Sequence, residues 1–182
     1  YELFEVNAAQ LVELLNNGII EVGIIRASGS DYPTLSSALT LSEQMIAVYP
    51  RENPWLAPDL KKIPIPMLKD VPLSISKGFR KILTNAFVKE GLTPNFFCVS
   101  TTRVATLMWM EAGVAVAAVP SSLRYDYGKE GYCCCPVGDS PLSIDRSFAY
   151  LKGRKLSAMA ETFLDFSRNM FSEINGLEQS GI

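Results

Sequence analysis

The chain has 182 residues and is 48% hydrophobic, enough for one ordinary domain or two small lobes around an apolar core. Its 17 lysines and arginines stand against 19 aspartates and glutamates. With a net charge of −2 and no basic stripe, the segment is not a nucleic-acid-binding module by itself. Histidine is absent, which removes Ser-His-Asp and Cys-His catalysis, His-ligated zinc and the commonest general base together.

No Gly-rich phosphate loop and no H-E-x-x-H appear, so neither an enzyme, a metal site nor a cofactor is expected. The longest uncharged apolar run, Ala112–Pro120, is far shorter than the ~20 residues that a bilayer requires. It has the length of a buried strand, and no membrane partner is expected.

In chain order, Tyr1–Val6 ("YELFEV") alternates like a strand. Because the chain opens inside that pattern without an initiator methionine, it reads as a fragment, silent on any signal peptide. Asn7 and Gln10 have the spacing of a capping box, and the following helix places Ala8, Leu11, Val12, Leu14 and Leu15 on one broad apolar face. Gly18 ends it, and Ile19–Arg26 reads as a buried strand. The stretch Leu41–Asp70 holds a strand at Gln44–Pro50 and then a proline-rich run with no period.

The same strand, polar corner, helix, glycine, strand pattern returns twice. The second copy has a strand at Val71–Ser76 and a helix over Gly78–Gly91, with Phe79, Ile82, Leu83, Ala86 and Phe87 facing inward. A strand at Pro94–Ser100 follows. In the third copy Thr101 or Thr102 caps a helix over Arg103–Gly113, whose inner stripe is Val104, Leu107 and Met108. Val114–Pro120 is its returning strand. Further strands are expected near Gly131–Val137 and Ser147–Leu151. A last helix, capped by Ser157, is expected to bury Met159, Phe163, Phe166 and Met170.

Strands alternating with single helices predict an α/β fold with parallel sheets and right-handed crossovers. The simplest layout is two lobes, residues 1–46 with 148–182 and residues 47–147, joined by a hinge near Met45–Pro50 and Val137–Ser147 and enclosing a cleft. In open parallel sheets ligands bind beyond the carboxyl ends of the strands, where helix N-termini collect. The corners Ser74–Phe79 and Val99–Val104 offer hydroxyls and unpaired N–H groups at helix starts. Lys77, Arg80 and Arg103 lie close by, Gly78 permits close backbone approach, and Arg26 and Ser28 follow a strand end in the other lobe. This set suits a small anion, above all a carboxylate. Ser and Thr at such corners are also ordinary helix caps, and it is the conjunction of two corners with two lobes that favours a ligand site.

Three consecutive cysteines, Cys133 to Cys135, invite a reactive reading. Adjacent residues of a strand point to opposite faces, however, so the three cannot converge on one metal. With Cys98 the only other thiol, they are expected to fill a core, with redox sensing as the alternative.

The segments "ELLNNGIIEVGIIR", "VPLSISKGFRKILTNAFVKEGLTPNFFCVSTTRVATLMWMEAGVAVAAVPSSL" and "LSAMAETFLDF", in this order, resemble the effector-binding domain of LysR-type transcriptional regulators. The spacing from "FR…AFVKEGLTPN" to "MEAGVAVAAVPSS" is the most specific part, and the resemblance spans nearly the whole chain. It implies two Rossmann-like subdomains with a hinge and central cleft, like type 2 periplasmic binding proteins. It also implies a small-molecule effector, a homodimer or homotetramer, a cytoplasmic location, and DNA binding through a separate N-terminal winged helix-turn-helix. Carried over by position, the family's effector contacts fall on Ser76, Lys77, Gly78, Phe79, Thr101 and Thr102, and around Arg26 and Ser28. The departure lies at the start: family members have a strand and a helix before the segment matching "YELFEV", and that strand's corner supplies a hydroxyl to the ligand. A solute-binding protein of a transporter shares the fold and is the main alternative, with an enzyme on the same fold third.

Overall fold

The computed structural model describes residues 2–26, 32–128, 131–139 and 142–179. The chain divides into two units, Tyr1–Leu41 with Asp145–Ile182, and Ser42–Ile144. It passes between them twice, each time within a strand: β2 covers Leu35–Pro50 and β7 covers Ser143–Leu151.

In the Ser42–Ile144 unit, β3 (Leu73–Ser76) runs parallel to β4 (Phe96–Ser100) on one side and to β5 (Val116–Pro120) on the other. Strand β2 adds antiparallel to β5, and β6 (Tyr132–Pro136) adds antiparallel to β2. The sheet is thus mixed rather than all-parallel: β2 alone runs against the direction shared by β3, β4, β5 and β6.

Both faces of this sheet are covered, and strand alternation decides which side chain goes where. Met45, Ala47 and Tyr49 of β2, Leu73 and Ile75 of β3, and Val116 and Ala118 of β5 share one core. Against them pack Leu83, Ala86 and Phe87 of α2 (Arg80–Lys89). Ile46, Val48, Ala117 and Val119 face the other way, onto Leu107 and Met110 of α3 (Arg103–Glu111) and onto Leu123, just before the short α4 (Arg124–Tyr127). The proline-rich stretch proves to be a strap across the first face, burying Leu56, Ile63, Ile65, Leu68 and Val71. Asn53 shapes its start: the amide donates to the Pro50 and Leu56 carbonyls, and its oxygen accepts from the Trp55 and Leu56 N–H groups. Such a strap needs apolar side chains only where it touches the sheet, so it shows no period in the sequence.

The other unit holds α1 (Ala8–Asn16), β1 (Gly23–Ile25) and α5 (Ala158–Gln179), with parts of β2 and β7. The expected capping box is present: the Asn7 side chain accepts from the Gln10 N–H, and the Gln10 side chain accepts from the Asn7 N–H. Leu11 and Leu15 of α1 pack on Ile25 and Ala149, where β1 pairs antiparallel with β7. A Cβ on Gly23 would stand 2.9 Å from the Leu11 side chain, so glycine lets α1 approach the strand. Ser157 caps α5 by accepting from the Ala160 N–H, and is itself held by Glu21, which accepts from its N–H and its hydroxyl.

Several expectations need correction. Of the buried strand expected over Ile19–Arg26 only Gly23–Ile25 forms, and Ile19 and Ile24 are exposed. Residues 2–6 form no strand, and Leu3 is 95% exposed; alternation states a preference, but a strand needs a partner ladder. On α3 the buried residues are Thr106, Leu107 and Met110, whereas Val104 and Met108 are exposed. On α5 the buried residues of the first turns are Ala160, Leu164 and Ser167, and the bulky Met159, Phe163, Phe166 and Met170 lie outward of them. In both helices the inward face contains small or hydroxyl-bearing residues that a search for apolar bulk passes over. Ser167 can be buried because its hydroxyl donates to the Phe163 carbonyl.

This placement of α5 is checked by chemical denaturation: Leu164→Ala is expected to lower stability by about 2–5 kcal/mol. Phe166→Ala is expected to change it by no more than about 0.5 kcal/mol.

Candidate functional site

The two corners singled out in the sequence meet because of strand register. In the β3–β4 ladder Leu73 pairs with Phe96 but Ser74 pairs with Cys98, so β4 carries one extra residue. That irregularity turns Phe97 outward, edge-on to Trp109 with ring centroids 5.4 Å apart, and brings Ser76 level with Ser100. Beta3 and β4, being parallel, therefore end side by side. Strand β5 ends at the same edge, followed by a 3-10 turn over Ser121–Leu123 whose Ser121 hydroxyl accepts from the Gln44 N–H.

At the first corner, Ser76 leads into a 3-10 turn, Lys77–Phe79, continuous with α2. The N–H groups of that turn precede its first internal bond, from the Arg80 N–H to the Lys77 carbonyl. Lys77 and Gly78 are exposed. A Cβ on Gly78 would meet nothing within 4 Å and its φ is not positive, so the fold itself does not require glycine there. The Phe79 ring is buried in the core beside Leu83, which leaves its main chain as the part a ligand can meet. Arg80 turns elsewhere: its guanidinium carbon lies 5.9 Å from the centroid of the Phe96 ring, at the opposite end of β4.

At the second corner Thr102 is the N-cap of α3, its hydroxyl accepting from the Ala105 N–H at 3.3 Å. Both this cap and the Thr101 side chain are exposed, as is Arg103. The helix start thus presents hydroxyls, a cation and the first unbonded N–H groups to solvent, a combination that favours negative charge. In the other unit Arg26 is exposed just past the end of β1, while Ser28 lies outside the described residues.

A hydroxyl cluster not foreseen from the sequence lies beneath both corners. The Ser74 hydroxyl donates to the Thr106 carbonyl at 2.9 Å, and the Thr106 hydroxyl stands 3.2 Å from that of Ser76 and 2.6 Å from that of Ser100. Ser100 in turn donates to the Thr102 carbonyl at 2.8 Å. The signal available in the sequence was the order Leu73, Ser74, Ile75, Ser76, which gives β3 an apolar face and a hydroxyl face.

The three consecutive cysteines belong to β6, which pairs with β2 rather than with β3 or β4. Cys133 and Cys135 share one core with Tyr49, and Cys134 faces the other. The Cys133 and Cys135 thiols donate to the Pro58 and Leu60 carbonyls, so they fasten the strap to the sheet. Burial raises the pKa of Cys133 and of Cys134, and burial with the Cys135 thiol beside it raises that of Tyr49. Tyr127, half-buried against Tyr132 and donating to Glu111, is pushed up to about 12, burial being the larger cause. Among the described residues no group of three or more His, Cys, Asp or Glu side chains could hold a metal ion, and no helix is long and apolar enough to cross a membrane.

A family model for the LysR substrate binding domain matches residues 1–172, and the chain belongs to that family. An uncharacterized HTH-type transcriptional regulator of Bacillus subtilis strain 168, YcgK, is 24% identical over 192 aligned positions. That match takes in 94% of this chain but only 58% of YcgK, so the chain spans less than two thirds of that relative. Among solved structures, the effector binding domain of QuiR in complex with shikimate superposes with a TM-score of 0.73 at 16% identity, covering 91% of this chain and 78% of that one. The regulatory domain of CcmR from Synechocystis PCC6803, in complex with 2-PG, gives 0.73 at 18% identity, covering 88% and 77%. The fold is accordingly that of LysR effector-binding domains, the type 2 periplasmic-binding-protein-like α/β fold.

Because Cys133 and Cys134 titrate above the ordinary thiol range, little thiolate is present at neutral pH. Labelling of the native chain by a thiol-specific disulfide reagent at pH 7.5 is expected to be much slower at these positions than in denaturant. A folded pKa above the unfolded value also means that stability holds below about pH 8.5 and declines as pH rises beyond it. A denaturation midpoint measured from pH 7 to 10 reads that decline.

Proposed function

We propose that this chain is the effector-sensing domain of a LysR-type regulator and takes a small anion, a carboxylate or another oxyanion, at the aligned strand ends. The observation that carries the reading is the pairing of Ser76 with Ser100, which sets two helix starts and their hydroxyls at one edge of the sheet. Family membership supports it. So do the complexes of two structural relatives, one with shikimate and one with 2-PG.

In this reading Ser76, Thr101 and Thr102 supply hydroxyl contacts, and the main chain of Gly78 and Phe79 supplies N–H donors. Lys77 balances charge. Arg26 and Ser28, of the subdomain formed by residues 1–46 and 148–182, are assigned further ligand contacts beside those of subdomain 47–147. No catalytic step is assigned to any of these residues. The effector acts by binding one arrangement of the subdomains better than another, and that differential affinity is what re-spaces attached DNA-binding domains in a cytoplasmic homodimer or homotetramer. Those DNA-binding domains are separate N-terminal winged helix-turn-helix units.

Calorimetric titration with shikimate and a panel of small carboxylates and phosphates tests the site. Hydrogen bonds to a charged ligand contribute about 1.5–3 kcal/mol each, so the Thr101→Ala/Thr102→Ala variant is expected to bind a positive probe at least about tenfold more weakly. Unchanged affinity would remove this corner from the site. Gly78→Ala separates fold from function. Its stability is expected to stay within about 1 kcal/mol of the parent, while the added methyl obstructs the ligand and weakens binding.

A further inference from the structure

We infer that Thr106 is a positioning residue for the effector site, its buried hydroxyl joining Ser76 at the end of β3 to Ser100 and Thr102 at the end of β4 so that the two corners act as one receptor. The inference rests on the effector reading of that site.

Thr106 is 0% exposed, yet packing does not require a hydroxyl there. Valine has nearly the same volume and brings no polar atom into the core. A helical threonine can satisfy itself by bonding the carbonyl four residues back, as Thr162 does with Ala158 at 2.8 Å. Thr106 makes that bond to the Thr102 carbonyl at 3.2 Å, but its short contact is to Ser100 at 2.6 Å, with Ser76 at 3.2 Å. The hydroxyl therefore reaches both strand ends in addition to its own helix.

Counting protons shows what the junction does. Ser76, Ser100 and Thr106 carry one hydroxyl proton each. With Ser100 donating to the Thr102 carbonyl, Thr106 donates to Ser100 and Ser76 donates to Thr106, so every proton points inward. In the reverse order Ser100 donates to Thr106 and Thr106 to Ser76, which leaves the Ser76 proton for a ligand. The second order lets Ser76 donate to an anion while still accepting from Thr106, so the link between the two strand ends is kept when the site is occupied. Each bond in such a chain polarises the next.

The experiment uses the 182-residue chain with Thr106→Val, Thr106→Ser, Ser76→Ala and the Ser76→Ala/Thr106→Val double variant, titrated with shikimate and with inorganic phosphate. Thr106→Val is expected to weaken a binding probe about five- to tenfold, a loss of about 1 kcal/mol or slightly more. Thr106→Ser, which keeps the hydroxyl, is expected to restore most of it. The effect of Ser76→Ala is expected to shrink in the Thr106→Val background, since residues in one network are not additive. Additive losses, or a Thr106→Ser variant as weak as Thr106→Val, would overturn the proposal. If neither probe binds the parent chain, the effector reading fails for these probes, and amide spectra of the ligand-free chain decide the junction. Thr106→Val should shift Ser76, Lys77 and Gly78 together with Thr101, Thr102 and Arg103, and Thr106→Ser should leave them in place. Shifts confined to α3 would overturn it.

Discussion

Burial of the Ser42–Ile144 sheet on both faces is the constraint from which the rest of that unit follows. Consecutive residues of β2, from Met45 through Tyr49, are all fully inaccessible, as are Val116, Ala117 and Ala118 of β5. A strand buried on both sides cannot slip by one residue without exchanging two complete sets of side chains between differently shaped cores. Register is therefore held firmly, and with it the level at which β3, β4 and β5 end. The strap and α2 cover one face, α3 and the Leu123 turn the other, and the helix starts come to the same edge as a consequence.

What gathers at that edge is more polar than charged. Ser76, Thr101, Thr102 and the first turns of two helices provide directional donors, while the cations are sparse and one of them, Arg80, is turned away onto Phe96. Fixed dipoles and hydroxyls of this kind favour negative charge by direction as well as by magnitude. The buried junction at Thr106 adds a further element. Its buried hydroxyl bonds to Ser76 at the end of β3 and to Ser100 at the end of β4, tying the two corners together.

The triple cysteine shows how far residue chemistry misleads without context. Their alternation between two cores was legible, because a strand leaves no other choice. Their partners were not: the Pro58 and Leu60 carbonyls belong to a strap that lies some seventy-five residues earlier in the sequence, and nothing local announces it. The same limit explains the two helices whose buried faces were misjudged. Thr106 on α3 and Ala160 and Ser167 on α5 face inward because a particular neighbour accepts a hydroxyl or demands a short side chain. Apolar bulk at helical spacing signals which faces are oily; which face wins is decided by shape and hydrogen-bond partners.

By itself the sequence determined the α/β class, the positions of most strands and helices, their caps, and the glycine stops at Gly18, Gly91 and Gly113, which lie at φ 70°, 68° and 69°. These are local matters of alternation, capping and backbone freedom, read within a few residues of where they act. It also marked the corners at Ser76 and at Thr101 and Thr102. Only the tertiary structure decided that β2 runs antiparallel to both its neighbours, that residues 2–6 form no strand, and that one extra residue in β4 sets Ser76 against Ser100. Those outcomes depend on pairing between segments far apart in the chain, where many registers satisfy the local pattern and only packing on both faces selects among them.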